Sequence, residues 1–199
     1  DISRFHPSKR DAAYRVELGL PGAGPLLIYA GRLDNEKRAQ TLVEMFRHLP
    51  PSLGAAMALI GDGKRREDMM ADAAGLPIAF PGFVADREQL ARALASSDIY
   101  VSGMADETFG ISIVEAQASG LPVVGVASGA MIDRVPPELG RLGPVDDAVA
   151  MARHVEEVWR NDPQAIGAAA HHHAQQFSWD RTFEQLFGDI YPRALAHAA

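Results

Sequence analysis

Short apolar runs separated by turns and by segments of helical periodicity set the fold class of this chain. The runs are Leu26-Leu27-Ile28-Tyr29-Ala30, Ala56-Met57-Ala58-Leu59-Ile60, Ile78-Ala79-Phe80, Ile99-Tyr100-Val101-Ser102 and Leu121-Pro122-Val123-Val124-Gly125-Val126. Strands with almost no polar interruption are buried on both faces, which requires helices above and below a parallel sheet. Their alternation with helical stripes predicts a doubly wound, Rossmann-like α/β fold, a parallel sheet with helices on both faces and a helical C-terminal segment. Phe83-Val84 reads as the exit of the third strand, beyond Pro81-Gly82. One helix is capped at Asp34 or Asn35, carries Leu42, Val43, Phe46 and Leu49 as its apolar stripe, and stops at Pro50-Pro51. Others run from Lys64 to about Ala74, from Asp86 to about Ser96, and onward from Gly110 or Ile111. The last third reads as helical: Asp146 to Arg160, Pro163 to Gln176, and a final helix capped by Ser178 with Trp179, Phe183, Leu186, Phe187 and Ile190 as its apolar face.

In such a sheet a ligand sits beyond the carboxyl ends of the strands where the strand order reverses, between the first and fourth strands. Both loops at that place carry chemistry. The first supplies Gly31, Arg32 and Lys37; the fourth supplies Glu107-Thr108-Phe109-Gly110-Ile111-Ser112 and then Glu115. Arg32 offers a phosphate two donors in a planar fork, and Lys37 a point charge. The helix starting near Gly110 presents unpaired N–H groups and a partial positive charge, and Gly110 lets a ligand come close. Glu107 in the loop and Glu115 roughly one turn into the helix would flank an elongated ligand and accept from hydroxyls at its two ends. An arginine after a strand is by itself more often a solvated surface group. Cations, a helix N-terminus and paired acids together point to a sugar nucleotide.

Composition removes several other classes. The 199 residues suit one domain, or one with a C-terminal extension, and the net charge of −7 argues against a nucleic-acid partner. With no cysteine there is no disulfide framework and no thiolate metal site, which suits a reducing compartment. No apolar run reaches the roughly 20 residues of a membrane-spanning helix. His171-His172-His173 point about 100° apart on a helix and cannot converge on one metal ion, so they read as an exposed helical face. Lys64-Arg65-Arg66 reads as a solvated helix start.

The E-x7-E spacing of Glu107 and Glu115, followed by Ala116-Gln117-Ala118-Ser119-Gly120-Leu121-Pro122-Val123-Val124, resembles the donor-site signature of the family-4 retaining glycosyltransferases of GT-B architecture. Gly31-Arg32-Leu33 with Lys37 is similar to that family's G-R-L-x-x-x-K element. The resemblance covers nearly the whole chain but only the second of the family's two domains, so it implies one half of a GT-B enzyme. It implies that residues 1–25 are an interdomain linker and lead-in, 26–176 the nucleotide-sugar-binding domain, and 177–199 a helix crossing back to a missing N-terminal acceptor domain. The chain begins with Asp1 and not methionine, and Asp1-Ile2-Ser3-Arg4-Phe5-His6-Pro7 resembles the family's linker.

By the same resemblance the activity is hexosyl transfer from a nucleoside-diphosphate sugar to an acceptor hydroxyl, with retention and without an essential metal or cofactor. Arg32 and Lys37 would hold the diphosphate and stabilise its charge as it leaves. Glu107, with the backbone at Phe109, Gly110 and Ile111, would hold the transferred sugar, Glu115 the ribose hydroxyls, and Ser112 would also belong to the donor site. Gly31, Gly61 and Gly63 would form turns beside the nucleotide, though Gly61-Asp62-Gly63 reads equally as a plain strand–helix turn. Phe83 and Val84 would receive the base, though lone apolar residues are more often core. The protein would be cytoplasmic, its missing domain meeting the inner membrane surface, and the chain alone would be inactive. Ser128-Gly129-Ala130-Met131-Ile132-Asp133 departs from the family's G-G-x-x-E element in its second glycine and in the length of its acid. Other readings of the same fold are a nucleotide-sugar epimerase, a non-catalytic nucleotide-sugar-binding module and a receiver-type domain. The receiver would want acids after the first strand, where Gly31-Arg32 stand.

Overall fold

The computed structural model describes residues 2–198; Asp1, the first residue of the expected linker, and Ala199, the last of the expected crossing helix, lie outside the described residues. Among those described, a sheet of six parallel strands forms: β1 (Leu26–Ala30), β2 (Ala56–Ile60), β3 (Ile78–Gly82), β4 (Ile99–Val101), β5 (Val123–Val126) and β6 (Gly140–Gly143). Their order is β3-β2-β1-β4-β5-β6. Leu27 of the central strand aligns with Met57 on one side and Ile99 on the other. The connections run outward from β1 in one direction and from β4 in the other, which leaves a crevice above the carboxyl ends of these two strands.

Alternation along β1 divides the core into two layers. Leu26 and Ile28 face α4 (Arg87–Ala95), α5 (Ile111–Ala118) and the lead-in residues Phe5 and Tyr14. Leu27 and Tyr29 face α2 (Gln40–Arg47), α3 (Arg66–Asp72) and α7 (Ala148–Arg160). Each fully buried aliphatic side chain, such as Leu26, Leu27 or Ile28, contributes about 1.5–3 kcal/mol relative to exposure and adds to the backbone ladder that joins the strands. Before β1, the lead-in forms α1 (Ala13–Glu17) and lies along α4: Arg92 pairs with Asp11 at 2.6 Å and Glu17 at 2.7 Å, and Arg4 and Lys9 both pair with Glu88.

Three elements differ from the sequence expectation. The helix after β1 starts at Gln40, because Arg38 takes φ 50° and residues 35–39 are turns; Asp34 accepts the Lys37 N–H at 3.1 Å and so caps that turn rather than α2. The edge strand β6 was not expected, since Gly140-Arg141-Leu142-Gly143 has no apolar run, yet it pairs with β5 over four residues after the short helix α6 (Met131–Arg134). Beyond α8 (Pro163–Ala174), the final helix is α9 (Trp179–Gln185), a π-helical turn over Leu186–Ile190 and α10 (Tyr191–Ala198). Its rings at Trp179, Phe183, Phe187 and Tyr191 contact one another in succession and remain exposed.

Candidate functional site

The floor of the crevice is backbone packed on backbone. The Gly31 N–H donates to Ile60 O at 3.0 Å, Leu33 N–H to Asp62 O at 2.9 Å, and Arg65 N–H to Leu33 O at 2.9 Å. Gly61 sits at φ 139°, and a Cβ there would collide with the Gly31 carbonyl; one at Gly63 would collide with the Leu33 carbonyl. These glycines let two loops close on each other, a packing need that the motif reading did not separate from a nucleotide contact.

The opposite wall is the loop between β4 and α5. Gly110 at φ 80° is the N-cap of α5, and its N–H donates to Glu107 Oε1 at 3.0 Å. Glu107 Oε2 lies 3.7 Å from Lys37 Nζ, so the two loops expected to share a site are joined by a partly buried ion pair. Arg32 is turned instead to its own loop: its guanidinium meets Asp34 at 3.2 Å and Glu36 at 2.5 Å, and the hydrogen bond to Glu36 raises its pKa. It stands at the mouth, with its side chain 60% exposed. Exposed pairs of this kind are weak and screened by solvent, so little holds Arg32 to its own loop.

Glu115, inside α5, has only 8% of its side chain exposed and pairs with Arg87 from the first turn of α4. Under the cleft, Tyr100 donates to Ala30 O at 3.4 Å; burial pushes its hydroxyl up to about 12, opposed by the Ser112 side chain, so it is neutral and a donor at neutral pH. Phe83 stands on the rim, 75% exposed, while Val84 packs partly into the core. Phe109 is held in place by Arg134, whose Nε donates to Phe109 O at 3.1 Å and whose guanidinium lies 4.6 Å from that ring and 4.5 Å from Phe177. Behind it, Ala130 N–H donates to Glu107 O at 2.8 Å, and a Cβ on Gly129 would come within 2.6 Å of the same oxygen. The turn that departs from the family's G-G-x-x-E element therefore buttresses the Glu107 backbone, and Asp133 is exposed outside the cleft.

Every residue assigned to the donor from the sequence except Gly63 lines one cleft of about 560 Å3; Gly63 faces a neighbouring depression with Arg32, Lys64 and Arg65. Arg87 lines the cleft and was missed, because a lone arginine opening a helix has no spacing signal. The three histidines do not form one exposed face. His171 Nδ1 lies 2.6 Å from Ala118 O, His173 packs on Phe177, and only His172 is exposed. Among the described residues no group of three His, Cys, Asp or Glu side chains is placed to hold a metal ion, and no helix is long and apolar enough to cross a membrane.

The chain matches the model of the family described as glycosyl transferases group 1 over residues 11–173. It is 31% identical over 204 residues to sulfoquinovosyl transferase SQD2 of Arabidopsis thaliana, which covers 98% of this chain and 39% of that protein. Among solved structures, sucrose-phosphate synthase from Thermosynechococcus elongatus superposes with a TM-score of 0.80 at 27% identity, over 99% of this chain and 51% of that one. Anabaena HepE in complex with UDP superposes with a TM-score of 0.80 at 22% identity, over 97% of this chain and 55% of that one, a likeness of fold. The chain thus spans about half or less of the length of the curated relatives it matches first. With that match over residues 11–173 and a sheet of order 3-2-1-4-5-6, the chain belongs to the glycosyl transferases group 1 family and has the Rossmann-like fold of one half of a GT-B enzyme.

Proposed function

We propose that this chain is the donor-binding domain of a retaining glycosyltransferase, which moves a hexose from a nucleoside-diphosphate sugar to an acceptor hydroxyl. The observation that carries the reading is the crossing point of β1 and β4, where Lys37, Glu107, the N-terminus of α5 and Glu115 line a single cleft. Lys37 and a swung Arg32 bind the diphosphate, joined by the first N–H groups of α5. Charge that builds on the departing phosphate then meets fixed donors rather than reorganising water. Glu107, held by Gly110 and Lys37, accepts from hydroxyls of the transferred sugar, and Glu115 accepts from the ribose. The bond from the anomeric carbon to the phosphate oxygen breaks, the acceptor oxygen bonds on the same face, and the acceptor proton passes to the leaving phosphate. No metal is needed in this scheme, because Lys37, Arg32 and the helix terminus supply the positive charge.

The acceptor belongs to a preceding domain in this reading, in keeping with relatives of which this chain spans 39% and 50%. Residues 177–198 return toward that domain, and a cysteine-free chain suits a cytoplasmic setting. Fixing donor and acceptor together supplies roughly 7–11 kcal/mol of a barrier, so the chain alone binds donor and transfers nothing. The test is acceptor-dependent release of nucleoside diphosphate, measured for the chain alone and joined to its N-terminal domain. Turnover by the two-domain protein only, with the anomeric configuration retained by NMR, is the expected result. Inversion, or turnover by the chain alone, contradicts it.

A further inference from the structure

Arg87 is a charged cleft residue that none of the family motifs contains. It opens α4 directly after the N-cap Asp86, and its Nη2 pairs with Glu115 Oε1. Its guanidinium also lies over the ring of buried Phe5, 4.9 Å from the centroid, so the lead-in fixes it from behind. The two partners are unequally placed. Glu115 is nearly enclosed, with 8% of its side chain exposed, whereas Arg87 is 44% exposed and lines the cleft. A carboxylate so far out of water requires a partner, and the charge-assisted bond from Arg87 Nη2 fixes the place of Glu115 Oε1. One carboxylate oxygen is thereby engaged, and the second remains to accept from a ligand.

We propose that Arg87 is a positioning residue for the donor: by anchoring one oxygen of Glu115 it aims the other at the ribose diol, and so sets the preference for ribonucleotides over those lacking the diol. This inference rests on the reading that Glu115 receives the ribose. It assigns Arg87 no contact with the reacting atoms. Phe5 has a part in it, because a guanidinium stacked on a buried ring has fewer orientations to lose.

The test titrates the chain with UDP and GDP and with their 2′,3′-dideoxy counterparts, comparing wild type with Arg87→Met, Arg87→Lys, Glu115→Gln and the Arg87→Met/Glu115→Gln double variant. Methionine keeps an apolar stem over Phe5 and removes the donors. Losing a hydrogen bond between the diol and a charged acceptor weakens the preferred ribonucleotide about tenfold, so both Arg87→Met and Glu115→Gln are expected to show that loss, with the dideoxy ligand changed by under about twofold. Lysine keeps the charge without the planar guanidinium over Phe5 and falls between. Because both residues act through one contact, the double variant is expected to bind no more than about twofold weaker than Glu115→Gln. If Arg87→Met does not fold, Arg87→Lys carries the test, with several-fold loss confined to the ribonucleotide. Unchanged or tighter binding, equal losses on both ligands, or fully additive losses would overturn the positioning role. An unchanged Glu115→Gln variant would instead remove the ribose reading on which it stands.

Discussion

Lys37 and Glu107 meet across the β1/β4 crossover, Nζ 3.7 Å from Oε2, while the other oxygen of Glu107 holds the Gly110 N–H at 3.0 Å. One carboxylate thus ties the cation-bearing loop to the start of α5. Both side chains are less than one quarter exposed, so the pair is screened less than a surface ion pair.

The first prediction separates the charges in this group. Lys37→Ala and Arg32→Ala are each expected to weaken a nucleoside diphosphate several-fold while leaving the bare nucleoside unchanged, and the difference shrinks as salt rises. Glu107→Gln keeps an oxygen for Gly110; it is expected to cost little on the diphosphate and about tenfold on the nucleotide sugar, where hydroxyls meet a charged acceptor. Calorimetry in low and high salt decides. Equal losses on nucleoside and diphosphate would remove Lys37 and Arg32 from the phosphate site.

Gly61 gives the second prediction. At φ 139°, with the Gly31 carbonyl where a Cβ would stand, Gly61→Ala strains the backbone and forces two loops apart. Strain of this kind costs about 1–3 kcal/mol. At about 2–4 °C per kcal/mol for a chain of this size, thermal unfolding is expected roughly 2–12 °C lower, together with weaker donor binding. A variant as stable as the wild type would show that the two loops yield easily.

Much of this arrangement is legible in the sequence. β1, β2 and β4 are plain because central parallel strands must be apolar on both faces, and Glu107 to Glu115 because the turn and helix repeat a known site pattern. What was not legible depends on partners distant in the chain. β6 is defined by the backbone it offers to β5, not by its own Gly140-Arg141-Leu142-Gly143. The late start of α2 follows from the positive φ of Arg38, a residue type that gives no such warning. Arg87 finds Glu115 across 28 positions, and Arg134 finds Phe109 across 25; neither distance has a periodicity.

Two histidines make stability depend on pH. Burial lowers the pKa of His154, beside Glu157, Arg141, Arg153 and Asp147, and of His173, beside Arg134, Glu138 and His172. A lowered folded-state pKa means that the unfolded chain binds protons first. The contribution is therefore complete above the ordinary value of 6.5 and is lost as pH falls through the lower folded values. Thermal unfolding between pH 7.5 and 5 is expected to fall more steeply for the wild type than for His154→Gln/His173→Gln. Parallel slopes would assign the acid sensitivity to other groups.

The central claim is that the β1/β4 cleft binds a nucleoside-diphosphate sugar, and calorimetric titration of the chain with UDP-, GDP- and ADP-sugars tests it most directly, with Glu115→Gln run alongside. The account predicts saturable binding with a preference for one base, persisting in the presence of a chelator and weakened about tenfold by Glu115→Gln while the variant keeps its fold, as expected for losing a charged acceptor. Absence of binding to all three donors by a folded chain, or binding that Glu115→Gln leaves unchanged, would contradict it.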